Sequence, residues 1–378
     1  MDISFVSTGT PEYDSYPDPN HGTATQIWGL AKVFAEKGHS VRIYCATYGE
    51  PTEYEIQHGI KIVEVPTPTI DKQINGLFTK LVFSRRVSRQ LKNEGPDLIL
   101  LRERITAFFP SKLDIPSIYT VISPDSFDFF YDFTVSKHSA NRILFRYKKA
   151  IEQRVLSNVD AVGVINEWMQ TYLRTMGYPE TYYLPMGIPD SDFEKLEQKD
   201  WNKNIIAAGR LEALKRPTWV LDAFESIRDT NYELHIIGDG SMYSELEAQV
   251  SERGLSERVS MPGWIDRHKL LHRMHDASIL IHPAKFEMGG NVILEGLASG
   301  CAVISSDTMG AKTLIDDGET GRLFHRSRPD KLQDSLKELA YDDDEQQRLG
   351  SNAHEKIKTK HTMTQVAIPY LRLADRLI

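Results

Sequence analysis

The sequence predicts an α/β protein of two Rossmann-like, doubly wound domains that face each other across a cleft. Its 378 residues suit two domains of about 150 residues each better than a single one. Strand-like and helix-like segments alternate from the first residue, and the same alternation begins again after residue 203. With 40% hydrophobic and 26% charged residues, the composition excludes disordered, collagen-like and disulfide-scaffold classes.

The first half opens with a strand, a helix and a second strand. The apolar run DISFVST predicts a buried strand, and TQIWGLAKVFAEKGH predicts an amphipathic helix that ends at Gly38. The next strand is predicted at SVRIYCA. This order is typical of a doubly wound parallel sheet.

The second half repeats the pattern. NKNIIAAGR predicts a strand, and PTWVLDAFESIRD predicts a helix that opens with Pro217 in its first turn. YELHIIGDG predicts another strand, and SMYSELEAQVSERG predicts a helix with Ser241 as its N-cap. The two repeats therefore predict two Rossmann-like halves.

The segment between the halves predicts a linker. Residues Pro185 to Lys203 mix proline, glycine and charge without clear periodicity. The last turns of the chain, VAIPYLRLADRLI, are apolar enough to dock on another element. We therefore expect an N-terminal domain over residues 1–190, a C-terminal domain over 200–358, and a final helix over 359–378 that packs back on the N-terminal domain.

Charge and cysteine usage restrict the partners and the compartment. The chain has 45 Lys and Arg against 53 Asp and Glu, so its net charge of -8 gives no general attraction to nucleic acid or acidic lipid. Cys45 and Cys301 both lie in short apolar runs that predict buried strands, which favours a reduced cytosolic interior. No signal-like N-terminus and no apolar stretch near ~18 residues is present, so we expect a cytoplasmic protein.

The clearest chemical pattern is AKFEMGGNVILEGLASGCAVISSD, residues 284 to 307. Glu287 lies in a loop before a turn of Gly289 and Gly290, and Glu295 lies within the first turn or so of the following helix. Two glycines let backbone approach a ligand, and a helix N-terminus offers N–H groups to an anion or to sugar hydroxyls. One Glu there can simply stabilise the helix dipole. Two that bracket a glycine turn favour a binding site.

Glu287 and Glu295 resemble the E-x7-E signature of retaining glycosyltransferases of family 4, also called glycosyl transferases group 1. GRLEALKRPTWVLDAF resembles that family's G-R-L-x-x-x-K segment, IIGDGSMYSELE its glycine-rich strand end, and ISSDTMGAKTLIDDGETGRLF the stretch after the second Glu. The resemblance covers nearly all of residues 200–330 and, more loosely, the N-terminal half. It implies the GT-B architecture of two Rossmann-like domains, which agrees with the layout predicted above.

Arg210 and Lys215 each follow the carboxyl end of a predicted strand, in a loop that precedes a helix. A nucleoside diphosphate gains negative charge as its bond to the sugar breaks, and a guanidinium with an ammonium would stabilise it. The alternative is a pair of solvated surface cations. The resemblance implies that these two positions hold the donor diphosphate.

The resemblance also implies the reaction. A sugar would pass from a nucleotide diphosphate sugar to an acceptor hydroxyl with retention of configuration, in polysaccharide, glycan or glycolipid assembly. The donor would lie on the C-terminal domain and the acceptor, whether carbohydrate, lipid-linked or another hydroxyl compound, on the N-terminal domain. The leaving phosphate would take the acceptor proton, so no side-chain base is required.

Residue roles follow from the same resemblance. Glu287, Arg210 and Lys215 are the predicted catalytic residues, with Glu287 against the transferred sugar and Glu295 against the ribose. Backbone from Gly263 to Ile265 would border the nucleobase. The predicted donor-binding residues are Gly22, Thr23, Gly209, Arg210, Lys215, Gly238, Gly263, Trp264, Ile265, Glu287, Gly289, Gly290, Asn291, Val292 and Glu295.

The N-terminal half departs from the family pattern. Residues 20 to 25 join the first predicted strand to the first helix and resemble the family's glycine turn, but Thr23 follows Gly22 where a second glycine is usual. Many members carry a histidine after the strand PSIYTVISPD, where this chain has Ile122 or Ser123. Met186 and Thr313 replace a common Asn and a common Glu, so the substrate contacts at these positions stay open. 

Two patterns raise the question of a metal. Asp342 to Asp344 fits D-x-D, but the run YDDDEQQRL is more typical of the cap and first turn of an exposed helix. His268, His272 and His275 share a helical face at the polar margin of Leu270, Leu271 and Met274, which favours a solvated boundary. We expect no cofactor and no obligatory metal.

Two surface questions stay open. The aromatic residues Phe127, Phe129, Phe130, Tyr131 and Phe133 would either cradle a lipid or aromatic acceptor or form ordinary helix core. The basic stretches 80–92 and 137–154 would either contact an anionic membrane weakly at its inner face or form solvated helix faces, the commoner case.

Two other functions fit the same architecture. A nucleotide-sugar epimerase would need additional acid and base groups around the sugar, and the combined motifs argue against it. A non-catalytic sugar-nucleotide-binding subunit is suggested by the missing histidine.

Overall fold

A computed structural model describes residues 1–7, 21–47, 49–68, 76–122, 139–193, 199 and 201–378, with backbone only at 21–23 and 139–143. The chain forms two compact units. The first consists of Met1–Met186 together with Met363–Ile378, and the second of Gly187–Thr362. Each unit has its own sheet of almost entirely parallel strands with helices between them, so the predicted α/β class with two Rossmann-like units is confirmed.

In the described part of the first unit, eight strands form one sheet in the order β3-β4-β2-β1-β5-β6-β7-β8. All neighbouring strands are parallel except the short edge pair β3 and β4. The strands are β1 (Asp2–Val6), β2 (Ser40–Thr47), β3 (Glu53–Glu55), β4 (Lys61–Pro66), β5 (Leu98–Leu101), β6 (Ser117–Val121), β7 (Ala161–Val164) and β8 (Thr181–Tyr183).

The final helix of the chain completes the core of the first unit. Met363–Leu377 packs against His21–Glu36, and both helices bury apolar side chains over β1, β5 and β6. A Cβ at Gly29 would lie 2.6 Å from the Met363 side chain, so a larger residue there would require that side chain to shift. The helices among the described residues of this unit are His21–Glu36, Leu77–Glu94, Arg104–Ala107, Ser139–Asn158, Glu167–Thr175 and Met363–Leu377.

The second unit contains six strands, all parallel, in the order β11-β10-β9-β12-β13-β14 among its described residues. They are β9 (Asn204–Ala208), β10 (Glu233–Ile237), β11 (Val259–Gly263), β12 (Ile279–His282), β13 (Ala302–Ser306) and β14 (Arg322–Phe324). The helices are Asp190–Phe193, Pro217–Glu225, Tyr243–Glu252, Arg267–His275, Asn291–Ala298, Met309–Leu314, Pro329–Ala340 and Asp343–Lys360.

Two helix starts test the capping predictions. The Asp342 side chain accepts the Glu345 N–H at 2.9 Å and caps the helix Asp343–Lys360, which confirms the interpretation of the acidic run. The predicted Ser241 cap is wrong. The Ser241 hydroxyl and N–H instead donate to the Glu212 carboxylate at 2.7 and 3.2 Å, and Met242 holds the N-cap position. A carboxylate in the loop after β9 competes successfully for these donors.

Both cysteines of the chain are buried. Cys45 lies in β2 and Cys301 lies just before β13, and both are buried free thiols. Burial raises the pKa of the Cys45 thiol to about 12. Among the helices of the described residues, none is both long enough and apolar enough to cross a lipid bilayer.

Candidate active site

Three predicted glycines lie side by side at the carboxyl edge of the second sheet. Gly209 follows β9, Gly238 follows β10, and Gly263 ends β11. The Gly209 N–H donates to the Ile237 carbonyl at 3.0 Å, and the Gly238 N–H donates to the Gly263 carbonyl at 2.9 Å. Ligands of parallel sheets bind beyond this edge.

The contact between Gly209 and Gly238 excludes a side chain. Gly238 has φ +138°, and a Cβ there would lie 1.9 Å from the Gly209 carbonyl oxygen. Any other residue would push the two strand ends apart. The two glycines therefore allow the backbones to lie in close contact where the loops after β9 and β10 begin.

Lys215 and Glu287 form an ion pair across two neighbouring loops. Lys215 ends the 3-10 turn Ala213–Lys215, and Glu287 lies in the loop after β12. The Lys215 ammonium donates to Glu287 Oε2, and the two side chains stay 24% and 20% exposed. The Lys285 N–H donates to the Leu214 carbonyl at 2.8 Å and ties the two loops together. The pair is therefore fixed by its backbone and still reachable from solvent.

The loop that carries Glu287 is also held from its other side. The Gly290 N–H donates to Glu287 Oε1 at 3.3 Å, and the Gly310 N–H donates to the Glu287 carbonyl at 3.0 Å. Gly290 has φ +82° and starts the helix Asn291–Ala298. A Cβ at Gly310 would lie 3.0 Å from the Gly289 backbone, which explains the glycine there. The carboxylate is thus positioned before any ligand arrives.

His282 is a third member of this cluster. It ends β12, is buried, and places Nε2 3.4 Å from Glu287 Oε2. Burial lowers the pKa of His282, so the imidazole is neutral at neutral pH. Burial by itself would raise the pKa of Glu287, but the Lys215 ammonium and His282 outweigh it and hold that pKa well below its ordinary value. The cluster therefore presents an ionised carboxylate, an ammonium and a neutral imidazole.

Glu295 belongs to a separate cluster. It lies in the second turn of the helix Asn291–Ala298 and is only 8% exposed. Arg267 Nε donates to Glu295 Oε1 at 2.8 Å, and Arg267 Nη1 donates to Asp192 Oδ2 at 2.7 Å. One guanidinium thus holds two mostly buried carboxylates. The contact between Glu295 and a ribose stays a prediction.

The remaining predicted residues of this unit line the same edge. Arg210 follows Gly209 directly and is exposed, and within the described residues its side chain makes no ion pair. Asn291 and Val292 open their helix, where N–H groups lack an intrahelical partner. Trp264 is 47% exposed, and Ile265 is half-buried, directly after β11. The structure brings Lys215 to Glu287, and it does not bring Arg210 or Glu295 into contact with that pair.

The N-terminal predictions need one correction. The backbone of Gly22 and Thr23 lies in the first turn of the helix His21–Glu36 and not in a connecting loop. The prediction began the helix near its first apolar residues, but first-turn positions do not have to be apolar. First-turn N–H groups still lack intrahelical partners. Ile122 follows β6 in a bend, whereas Ser123 and the aromatic run 127–133 lie outside the described residues.

The three histidines on Arg267–His275 form no closed cluster. His268 and His272 place their Nε2 atoms 3.3 Å apart on the exposed side of the helix. Within the part of the chain that the structure describes, no three His, Cys, Asp or Glu side chains are arranged to hold a metal ion. Independence from metal remains a prediction.

Sequence reasoning missed three residues of these clusters. His282 had one local signal, because it is the only polar residue of the buried strand ILIH and lies five residues before Glu287. Arg267 and its partners had no local signal, since Glu295 and Asp192 lie 28 and 75 residues away in the chain. Contacts of that range depend on the fold.

Comparison with known families gives two matches. The model of glycosyl transferases group 1 matches residues 190–356, and the model of Glycosyltransferase Family 4 matches residues 21–192. An uncharacterised glycosyltransferase of Methanocaldococcus jannaschii is 23% identical over 321 residues, which cover 83% of this chain and 84% of that protein. Several other curated matches span only 31% to 48% of the matched proteins' length.

Solved structures share the fold over the whole chain. Sucrose-phosphate synthase from Thermosynechococcus elongatus superposes with a TM-score of 0.84 at 20% identity, covering 100% of this chain and 99% of that one. Anabaena HepE in complex with UDP and glucose has a TM-score of 0.72 at 17% identity and covers 100% of both chains. At these identities the likeness concerns the fold alone.

Proposed function

We propose that this chain, which belongs to the GT-B glycosyltransferases described by the group 1 and family 4 models, moves a sugar from a nucleotide diphosphate sugar to an acceptor hydroxyl with retention of configuration. One observation carries the proposal. The Lys215 ammonium and the Glu287 carboxylate meet at the carboxyl edge of the second sheet, fixed by their loops and partly open to solvent. In such a pair the ammonium would bind the diphosphate of a nucleotide diphosphate sugar, and the carboxylate would bind its sugar.

The cations would stabilise the leaving group. Lys215 would place a point charge at the diphosphate as the sugar bond breaks, and Arg210, from the same loop after β9, would add a planar guanidinium. The exposed position of Arg210 leaves its guanidinium able to turn toward a ligand. HepE, which shares this fold, has been solved with UDP and glucose bound, and that supports a nucleotide-sugar donor.

Glu287 would accept hydrogen bonds from hydroxyls of the transferred sugar. Its lowered pKa keeps the carboxylate ionised, which suits an acceptor of hydrogen bonds and not a proton donor. The neutral His282 beside it adds no positive charge to the sugar pocket. The backbone N–H groups from Gly289 to Val292, at the start of the helix Asn291–Ala298, would help Glu287 to bind the transferred sugar.

The nucleoside would lie toward β11. Glu295, held by Arg267, would accept hydrogen bonds from the ribose, and the backbone from Gly263 to Ile265 would border the base. The acceptor would bind the first unit, with Gly22 and Thr23 contributing backbone N–H groups to the donor. The leaving phosphate would take the acceptor proton, and no metal would be required.

A panel of labelled nucleotide sugars tests this function. Purified protein should release free nucleoside diphosphate from one donor, slowly without acceptor and faster with one. An altered nucleotide sugar would instead indicate an epimerase, and binding without turnover would indicate a non-catalytic subunit. Proton NMR of the product gives the anomeric configuration, and an inverted product would contradict retention.

A further inference from the structure

Arg102 is a buried cation at the carboxyl edge of the first sheet. It follows the last residue of β5, and it is 8% exposed. Among the described residues, no hydrogen-bond acceptor lies within reach of its Nε and Nη1 atoms, and no carboxylate forms an ion pair with it. Burial lowers the pKa of Arg102, but an arginine keeps its charge at neutral pH. The guanidinium is therefore charged, desolvated and without a counterion from this part of the chain.

The two residues that follow Arg102 both take part in ion pairs. Arg104, two residues later, places Nε 3.3 Å from the Glu152 carboxylate, and Lys80 pairs with Glu103. Burying an unpaired charge is strongly unfavourable, so such groups are normally paired. Glu103 and Arg104 thus each have a partner of opposite charge, whereas no carboxylate of the described residues pairs with Arg102.

Two hydroxyl groups lie on the same face of the sheet as Arg102. Leu98, Leu100 and Ile118 pack in one core cluster with Tyr370, and Leu100 is in register with Ile118. Because side chains alternate along a strand, Arg102 and Thr120 continue that face. Thr120 Oγ1 and Tyr370 OH lie 3.4 Å apart. Within the described part of the chain, the guanidinium and the two hydroxyls form a set of donors that no carboxylate opposes.

We propose that Arg102, with the hydroxyls of Thr120 and Tyr370, binds an anionic oxygen group, a phosphate or a carboxylate. The site lies at the carboxyl edge of a parallel sheet, where ligands of such sheets bind. Arginine recognises both groups through paired N–H donors. As the first unit is the acceptor side of the proposed function, the anion belongs to the acceptor. That assignment rests on the proposed function, whereas binding of the anion itself does not.

Calorimetric titration with sodium phosphate and, separately, with sodium acetate tests the binding. Four proteins are compared: wild type, Arg102→Met, Arg89→Met and Lys215→Ala. Arg89 is an exposed cation of the same unit, so its variant controls for loss of charge. Lys215→Ala removes a cation from the second unit, where phosphate is also expected to bind. Circular dichroism verifies the fold of each variant.

Arg102→Met should weaken one anion-binding event by about tenfold or more, whereas Lys215→Ala and Arg89→Met should keep that event. The anion that binds more tightly, phosphate or acetate, shows which anionic group the site prefers. Arg102→Met should also melt at a higher temperature than wild type without anion, because an unpaired buried charge is removed. The proposal would be overturned if Arg102→Met bound the anion as well as wild type does. It would also be overturned if wild type bound no anion and Arg102→Met melted at a lower temperature than wild type. If Arg102→Met fails to fold, Arg102→Lys should still bind the anion, with lower affinity.

Turnover separates this proposal from the proposed function. With matched neutral, phosphorylated and carboxylated acceptors, Arg102→Met should raise KM for the anionic acceptor about tenfold or more and leave a neutral acceptor unchanged. If Arg102→Met loses anion binding but wild type turns over no nucleotide sugar, the Arg102 site stands and the proposed glycosyl transfer is rejected. Equal effects on neutral and anionic acceptors would reject the acceptor assignment.

Discussion

Lys215 and Glu287 lie 72 residues apart in the chain and form one ion pair, which two backbone-tied loops hold at the edge of a parallel sheet. The pair keeps Glu287 ionised and gives Lys215 a fixed direction. Both side chains retain some exposure, so the pair is reachable from solvent. The following predictions depend on this geometry and on the clusters around it.

Lys215→Ala should reduce turnover of the donor by about 10²- to 10³-fold, because it removes the charge that we propose stabilises the departing diphosphate. Affinity for the nucleoside diphosphate should fall as well. Steady-state kinetics and calorimetry measure both quantities. Lys331→Ala, which removes an exposed lysine of the same unit, is the matched control. Kinetics equal to wild type would remove Lys215 from the site.

Glu287→Gln should impair turnover and lower the free energy of unfolding by about 1–3 kcal/mol at pH 7, since Lys215 loses its charged partner. The folded pKa of Glu287 lies below the unfolded value of about 4.3, so the ionised carboxylate stabilises the fold above that value. The difference from wild type should shrink as the pH falls below it. Urea unfolding at several pH values measures this, with exposed Glu319→Gln as control. A difference that grows in acid would contradict the assigned sign.

His282→Gln should make the protein less sensitive to mild acid. Burial lowers the folded pKa of His282, so the unfolded chain binds a proton more readily below about pH 6.5, and wild-type stability falls as the pH decreases from there. Removing the imidazole removes the contribution of His282 to the change of unfolding free energy with pH. Unfolding free energies between pH 7 and pH 5 give the comparison, with exposed His272→Gln as control. Identical slopes in wild type and His282→Gln would show that His282 is protonated equally in both states.

Arg267→Ala should destabilise the second unit by about 3–5 kcal/mol, because Glu295 and Asp192 would each lose the cation that holds them. Affinity for the nucleoside diphosphate should fall as Glu295 loses its fixed position. Arg273→Ala, on the exposed side of the same helix, provides the control. Denaturant midpoints and calorimetry separate the two effects. Wild-type stability in Arg267→Ala would mean that the two carboxylates find other partners.

His272→Ala should leave turnover within about twofold of wild type, as expected for an exposed surface residue. Chelation of divalent ions should have an equally small effect. Activity assays with and without a chelator measure both. A strong loss that added zinc restores would contradict metal independence.

Much of the fold follows from the sequence. The alternation of apolar runs with amphipathic segments predicts two parallel-sheet units, since each period reflects which face of an element is buried. Some motifs affect only residues close to them in the sequence. The turn at Gly289 and Gly290 and the helix cap at Asp342 are of this kind, so a single sequence is enough to predict them. The predicted helix start at Thr25 and the predicted cap at Ser241 are wrong, because a pattern of apolar residues shows neither where a helix begins nor which distant carboxylate competes for a donor.

The sequence by itself determined the element order, the two sheets and the short motifs, because local spacing and periodicity encode them. Only the tertiary structure decided that Glu287 meets both Lys215 and His282, that Glu295 pairs instead with Arg267, and that the buried Arg102 has no carboxylate partner among the described residues. These partners come from different strands and loops, and their ionisation depends on burial and on neighbouring charges. Both conditions exist only after the chain has folded.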